Sequence, residues 1–488
     1  MQQTQVTVKG INCRNFINGQ YVEASDDKKF LNINPATEEV IGWVAEATKE
    51  EVNEAVQSAK RALKAEWSTY TVKQRSQIIR KIGDLILENV EEFAMLEALD
   101  TGKPYELAME MDIKRAAHNF HFFADYVTAL GNESYKQDNI ALHYTVTRPV
   151  GVVAMINPWN LPLLLMTWKL APCLAAGSTA VMKPAELTPM TATKLAEICK
   201  RAGVPDGVVN VIHGFGKDSA GQFLSKHPLV DAITFTGETR TGTTIMKAAA
   251  PTLKKVSFEL GGKNPAIIFA DSNLDEVVET TLQSSFRNQG QVCLCASRIY
   301  VERSIMDAFL EKFVARTNEL IVGDPFDAKT NIGSVIGKEH YEKVMSYIAI
   351  AKEEGGIILT GGKRPDHMEK GYFIEPTIIV GLTENSRCVK EEIFGPVVTV
   401  LPFDTEEQVI SYANDTNYGL GATIWTNDLR RAHRVAGQIE AGIVWVNTWY
   451  LRDLRTPFGG MKQSGIGREG GAHSFEFYCE QSNITIKL

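Results

Sequence analysis

Two short stretches of the chain hold residue types suited to covalent chemistry. Phe286-Arg287-Asn288-Gln289-Gly290-Gln291-Val292-Cys293-Leu294-Cys295-Ala296-Ser297-Arg298 places a cysteine after a polar run containing glycine, and the apolar, β-rich Ile299-Tyr300-Val301 follows. A thiol is a strong nucleophile when its surroundings favour the thiolate, as at a helix N-terminus. Gly290 permits a close backbone approach, or a φ that other residues avoid. The window also fits a small buried hydrophobe at Cys293, the usual state of a free cysteine. The second stretch, Phe258-Glu259-Leu260-Gly261-Gly262-Lys263-Asn264-Pro265, sets one carboxylate among apolar residues just before a glycine pair. Apolar burial raises a carboxyl pKa unless the charge is paired, and a raised pKa suits a general base near neutral pH. A structural carboxylate capping the glycine turn reads equally well.

Together, FELGGKNP and FRNQGQVCLCASR resemble the paired signature of the NAD(P)-dependent aldehyde dehydrogenase superfamily. The resemblance extends over essentially the whole chain. It implies Cys293 as nucleophile and Glu259 as base, with Cys295 as packing at a position the family leaves variable. Acyl chemistry needs an oxyanion donor. Asn157-Pro158-Trp159-Asn160-Leu161-Pro162 offers two amides stiffened by prolines, although asparagines beside prolines are usually turn residues. The resemblance selects Asn160, acting with the Cys293 backbone N–H. The implied course has four steps. The Cys293 thiolate attacks an aldehyde, Asn160 stabilises the alkoxide, hydride passes to NAD leaving a thioester, and Glu259 activates water to release an acid. Coenzyme-A-acylating relatives do not need that base, so Glu259 favours hydrolysis.

Thr234-Phe235-Thr236-Gly237-Glu238-Thr239-Arg240-Thr241-Gly242 reads as a strand end, a glycine turn and a helix start, where backbone N–H groups and the helix dipole can meet a pyrophosphate. It is not GxGxxG, but Gly237 and Gly242 match the family's GxxxxG turn. Lys183 and Glu186, at the carboxyl end of an apolar run, can both bond a ribose or simply pair at the surface. By resemblance they hold the adenosine ribose. Glu186 would repel a 2′-phosphate, which favours NAD over NADP. Glu392 and Phe394 in Glu391-Glu392-Ile393-Phe394-Gly395-Pro396 match the segment that holds the nicotinamide ribose, and Ile156 and Trp159 complete the implied cofactor set.

For the substrate, Trp168 and Phe458 match positions lining the channel. Trp449-Tyr450-Leu451-Arg452-Asp453-Leu454-Arg455 precedes the family landmark PFGG. Arginine binds carboxylates bidentately, whereas a self-paired, solvated Arg-Asp-Arg turn is the commoner fate of such charges. RDLR with Arg115 resembles the 2-aminomuconate and 2-hydroxymuconate semialdehyde dehydrogenases, whose substrates carry a carboxylate away from the aldehyde. Arg455 is preferred over Arg452 for that contact. The alternatives are a broad enzyme for neutral aliphatic, aromatic or retinoid aldehydes and, in another class, an NAD-independent thioesterase or acyltransferase. The intact cofactor windows argue against the latter.

The 488 residues exceed one core and call for two or three domains. A net charge of −8 without a basic block argues against nucleic acid and anionic membrane as partners. Seven scattered cysteines suggest neither a disulfide framework nor a metal site, and fit a reducing cytoplasm. Met1-Gln2-Gln3-Thr4-Gln5 lacks signal-peptide character. Leu161 to Gly177 is the most apolar run, but prolines and Lys169 interrupt it, so it reads as a buried loop and helix. Phe16 to Val22 reads as a hairpin turning at Asn18-Gly19. Helices are expected at 48–63, 73–90, 91–100 and 105–127, the first behind a Thr48 capping box. From Pro149 to Glu259, apolar β runs alternate with helical segments, which indicates βαβ units and a parallel sheet. The expected fold is α/β: a Rossmann-like cofactor domain (1–127 and 150–260), an α/β catalytic domain (261–461) and a small β oligomerisation arm (128–149 and 475–488). By resemblance that arm makes a homodimer or homotetramer.

Overall fold

The computed structural model describes residues 10–488, so Met1–Gln5 lies outside the described residues. Two open sheets organise the chain. The larger runs in the order Gln20–Val22, Asn15–Ile17, Val209–Val211, Thr179–Lys183, Val152–Ile156, Ala232–Thr236, Lys255–Glu259, Gly465–Ile466. Its strands from Val209–Val211 through Lys255–Glu259 are parallel. Thr179–Lys183, Val152–Ile156 and Ala232–Thr236 are buried at every residue, which is why they read as continuous apolar runs. Val153 and Met155 pack into one core cluster while Val152, Ala154 and Ile156 pack into another, as a sheet covered on both faces requires. The expected α/β class with a Rossmann-like sheet is what forms.

The second sheet runs Ile357–Thr360, Thr377–Val380, Val397–Phe403, Ala296–Glu302, Asn264–Ile268, Gly421–Trp425, Ile443–Val446, parallel except for its first pair. Only the Leu260-Gly261-Gly262-Lys263 turn separates its Asn264–Ile268 strand from Lys255–Glu259, so that turn joins the two sheets. A third, antiparallel sheet pairs Ala141–Pro149 with Cys479–Lys487 on one side and Ser134–Gln137 on the other.

Local signals mostly hold. Asn18 and Gly19 both take positive φ (51° and 75°), the turn that matches the twist of a hairpin. Lys49–Ala62 begins with the Thr48/Glu51 capping box. The region expected as one helix over 105–127 differs. A π-helical turn at Ala108–Ile113 interrupts it between Tyr105–Leu107 and Lys114–Tyr126. Such a wide turn changes which side chains face inward, and apolar periodicity does not register it. Pro162–Ala176 is buried throughout. Among the described residues no helix is long and apolar enough to cross a membrane.

Candidate active site

The strand order of the larger sheet reverses between Val152–Ile156 and Ala232–Thr236. Loops leaving the carboxyl ends of those strands diverge, and open α/β sheets bind ligands in the crevice this makes. Asn157-Pro158-Trp159-Asn160 leaves one strand and Gly237 the other.

Cys293 sits in a turn ahead of Ala296–Glu302, at the amino end of the second sheet. Of the seven free cysteines it alone is not buried. Gly290 has φ +69°, and a Cβ there would lie 2.2 Å from the Gly395 carbonyl oxygen, so both reasons for glycine apply together. Asn264 Nδ2 donates to the Cys293 and Cys295 carbonyls at 2.7 and 2.9 Å, pinning the turn. These surroundings do not by themselves favour a thiolate. The loss of water around the half-buried sulfur pushes the Cys293 thiol well above its ordinary value, and the Glu259 and Glu392 carboxylates push it further. No helix begins at the turn to oppose them.

Glu259 ends the Lys255–Glu259 strand, 4% exposed, with neither carboxyl oxygen bonded. Burial raises its pKa well above the ordinary value, and Glu469 adds to the rise. Lys169, Arg452 and Arg468 oppose it. Glu469 itself is ion-paired to Lys169 at 2.7 Å, both nearly buried. Asn160 is buried, and its Nδ2 donates to the Gln291 carbonyl at 2.9 Å, two residues before the cysteine. An amide nitrogen carries two N–H groups, so one remains for a ligand oxygen.

The cofactor candidates gather around the same crevice. Lys183 Nζ lies 3.7 Å from Glu186 Oε2 at the end of Thr179–Lys183, and burial lowers the lysine's pKa. Gly237 leads into the Thr239–Ala249 helix, whose first turn has no side-chain cap and whose interior holds Gly242. Its leading N–H groups are therefore open to an anion. Thr236 Oγ1, beside Gly237, is buried without a partner. Ile156 is buried at the end of its strand. Glu392 accepts the Gly262 N–H at 2.8 Å. Phe394 takes φ +61° and packs edge-on against Trp159, ring centroids 5.4 Å apart. Paired ribose-type partners, an uncapped helix start and an orphaned hydroxyl at one switch point fit a dinucleotide. Among the described residues no His/Cys/Asp/Glu cluster suits a metal ion.

The arginines divide sharply. Arg455 is 72% exposed and bonded to Asp453, so the expected preference for Arg455 is corrected. Arg452 turns inward. Its guanidinium carbon lies 4.1 Å from the Trp168 ring centroid and 3.8 Å from that of Phe458, and its Nε and Nη2 are buried without partners. Arg115 lies 4.4 Å over the Tyr450 ring. Burial and the charge of Arg115 lower the Arg452 pKa to about 10, with Glu469, Tyr450 and Glu259 acting against the fall. Five groups from distant parts of the chain thus share one electrostatic neighbourhood.

Lys103, Lys169, Asn288, Tyr450 and Glu469 are site residues that the sequence reading passed over. Lys169 left a signal, a lone charge inside an apolar helical run that demands a buried partner. Tyr450 left none, since its left-handed φ of 67° belongs to no sequence rule.

A profile of the aldehyde dehydrogenase family matches residues 21–484. The chain is 52% identical over 482 residues to a 2-hydroxymuconic semialdehyde dehydrogenase of Pseudomonas sp. (strain CF600), covering 97% of this chain and 99% of that one. It is 48% identical to a 2-aminomuconic 6-semialdehyde dehydrogenase of Pseudomonas sp., covering 97% and 98%. An NAD+ complex of an aldehyde dehydrogenase from Bacillus cereus superposes with a TM-score of 0.96 at 41% identity, covering 98% of this chain and 97% of that one.

Proposed function

The chain belongs to the aldehyde dehydrogenase family, and from that membership we propose that it oxidises a carboxylated semialdehyde of the muconate type, with NAD as acceptor. One observation carries the substrate class. Arg452 is a half-buried arginine whose Nε and Nη2 are buried and unpartnered, held between Trp168 and Phe458 within electrostatic reach of Glu259. A buried cation left unpaired is costly, and a substrate carboxylate removes that cost. Arg115 beside it supplies a second positive group. A neutral aldehyde has nothing for either to bind.

In this reading Lys183 and Glu186 hold the adenosine ribose, Glu392 the nicotinamide ribose, and the Thr239–Ala249 helix start the pyrophosphate. Bound NAD supplies the hydride acceptor and a positive ring. The chain's own residues do the rest. Cys293 attacks as the thiolate, so its proton must first leave. It goes to solvent, and Glu259, its pKa raised, is kept for the water that follows. The free N–H of Asn160 meets the oxygen of the thiohemiacetal. After the thioester forms, Glu259 as carboxylate draws a proton from water, which attacks the acyl carbon. The carboxylic acid leaves and the Cys293 sulfur is freed. The exposed apolar side chains of the arm, Tyr135, Leu142 and Ile486, support assembly with a second copy. Seven free cysteines suit a reducing cytoplasm.

The test is NADH formation by the wild-type protein. kcat/KM is compared for 2-hydroxymuconate semialdehyde and for a neutral aldehyde of similar length. A preference of about 100-fold or more for the carboxylated compound is expected from a buried charge pair. Equal values would remove the substrate reading, and no NADH from either would remove the activity.

A further inference from the structure

Lys103 is fully buried, yet each of its three N–H donors has an acceptor. Nζ lies 2.7 Å from Asp112 Oδ2, 3.2 Å from Glu97 Oε1 and 3.1 Å from the Asn160 carbonyl oxygen. Burial opposes the ammonium, but Asp112 and Glu97 outweigh it and hold the pKa above the ordinary lysine value. The other Glu97 oxygen accepts the Leu163 N–H at 3.3 Å, in the first turn of the helix that follows Asn160. The ammonium therefore ties the Asn160 loop to the π-helical turn that carries Asp112.

A second tie comes from the nucleophile's side. Asn288 Nδ2 donates to the Asn160 carbonyl at 3.1 Å and to the Gln291 carbonyl at 3.2 Å. The Asn160 side chain donates to that same Gln291 carbonyl. Asn160, Asn288 and Gln291 form a closed hydrogen-bonded ring two residues before Cys293. One Asn160 N–H is spent in the ring, and that bond fixes where the other points. Asn288 reaches this place through a left-handed backbone, φ 53°, where asparagine is among the few residues commonly found.

We infer that Lys103 and Asn288 are positioning residues for the Asn160 amide, holding its free N–H on the oxygen of the aldehyde bound at Cys293. This rests on Asn160 being the oxyanion donor. A purely structural ion cluster needs only Glu97 and Asp112 around Lys103. The third bond, to the carbonyl of the one residue whose side chain faces the reacting oxygen, is what a positioning role adds. A group that acts this way lowers the barrier for every aldehyde alike, unlike Arg452.

Asn288→Gly separates the two roles, because glycine accepts the positive φ without strain while both donors vanish. Lys103→Met tests the other tie, and Asn288→Gly keeps the inference open to refutation should that variant fail to fold. The hydride step is followed in single turnovers at saturating NAD, with a carboxylated and a neutral aldehyde. Cys293 alkylation by iodoacetamide is measured alongside. The step should slow about 10- to 100-fold for both aldehydes, within the loss typical of a removed oxyanion donor. Alkylation should be unchanged. Combining Asn288→Gly with Asn160→Ala should cost no more than Asn160→Ala alone, since both act through one group. A rate within about twofold of wild type, multiplicative losses in the double variant, or alkylation slowed in parallel would each overturn the inference. An unchanged rate in Asn160→Ala would remove its premise and the inference with it.

Discussion

Arg452→Met should convert a selective enzyme into an indifferent one. Methionine keeps similar length and packs well against aromatic rings, so the contacts to Trp168 and Phe458 survive while the charge is lost. With a pKa of about 10 the wild-type guanidinium is cationic at neutral pH, and its Nε and Nη2 have no protein partner to compete with substrate. Removing one member of a buried, hydrogen-bonded charge pair costs about 2–5 kcal/mol. At ~1.4 kcal/mol per tenfold that is roughly 30- to 5000-fold in kcat/KM. Arg115 remains to share the carboxylate, so a loss of about 100-fold is expected. A neutral aldehyde should lose less than about twofold, because nothing it touches has changed charge. The assay is NADH formation with both aldehydes, and Arg455→Ala is the control. That side chain is exposed and already paired to Asp453, so its removal should change neither value appreciably. The reasoning fails if Arg452→Met slows both aldehydes equally, or if Arg455→Ala alone destroys the preference.

Glu259→Gln should leave the first hydride transfer visible as a single-turnover burst of NADH and stop the cycle there, because water is no longer deprotonated. Full steady turnover in that variant would assign the hydrolytic base elsewhere. The pH dependence follows from the neighbours of Glu259. Burial and then the negative charge of Glu469 hold its pKa up, and the carboxylate is the active form, so turnover should rise with pH through that raised range. Glu469→Gln removes the repulsion and leaves Lys169 unpaired beside the base. Both changes lower the Glu259 pKa, so the rising limb of the kcat profile should move to lower pH. A limb that stays or moves to higher pH would refute the coupling.

The larger sheet could be read from the chain because its strands are buried on both faces and its connections are helical, which leaves apolar runs spaced by amphipathic ones. Cys293, Glu259 and Asn160 stood out because a reactive residue type beside glycine or proline needs an explanation. The protonation state of Cys293 was beyond local reading. Its two carboxylate neighbours lie 34 residues before and 99 after it in the chain, and only the fold brings their charge to the sulfur. The Lys169–Glu469 pair spans 300 positions, so neither partner predicts the other.

The choice between Arg452 and Arg455 shows most clearly what the sequence withholds. They stand on either side of Asp453-Leu454, and both precede the PFGG landmark. What separates them is backbone direction. Tyr450 takes a left-handed φ of 67°, and its ring meets both Trp449, at 4.8 Å, and the Arg115 guanidinium. Trp449 is anchored in turn by its Nε1 bond to the Leu294 carbonyl, 3.0 Å away and next to the nucleophile. Arg452 follows this anchored pair inward to Trp168 and Phe458, while Asp453 turns back and closes on the Arg455 backbone N–H at 2.9 Å. The hydrogen bond that makes Asp453 and Arg455 a self-sufficient turn leaves Arg452 without a counter-ion. The lack of a partner in the fold, more than the presence of an arginine in the sequence, is what gives the site an affinity for a carboxylate.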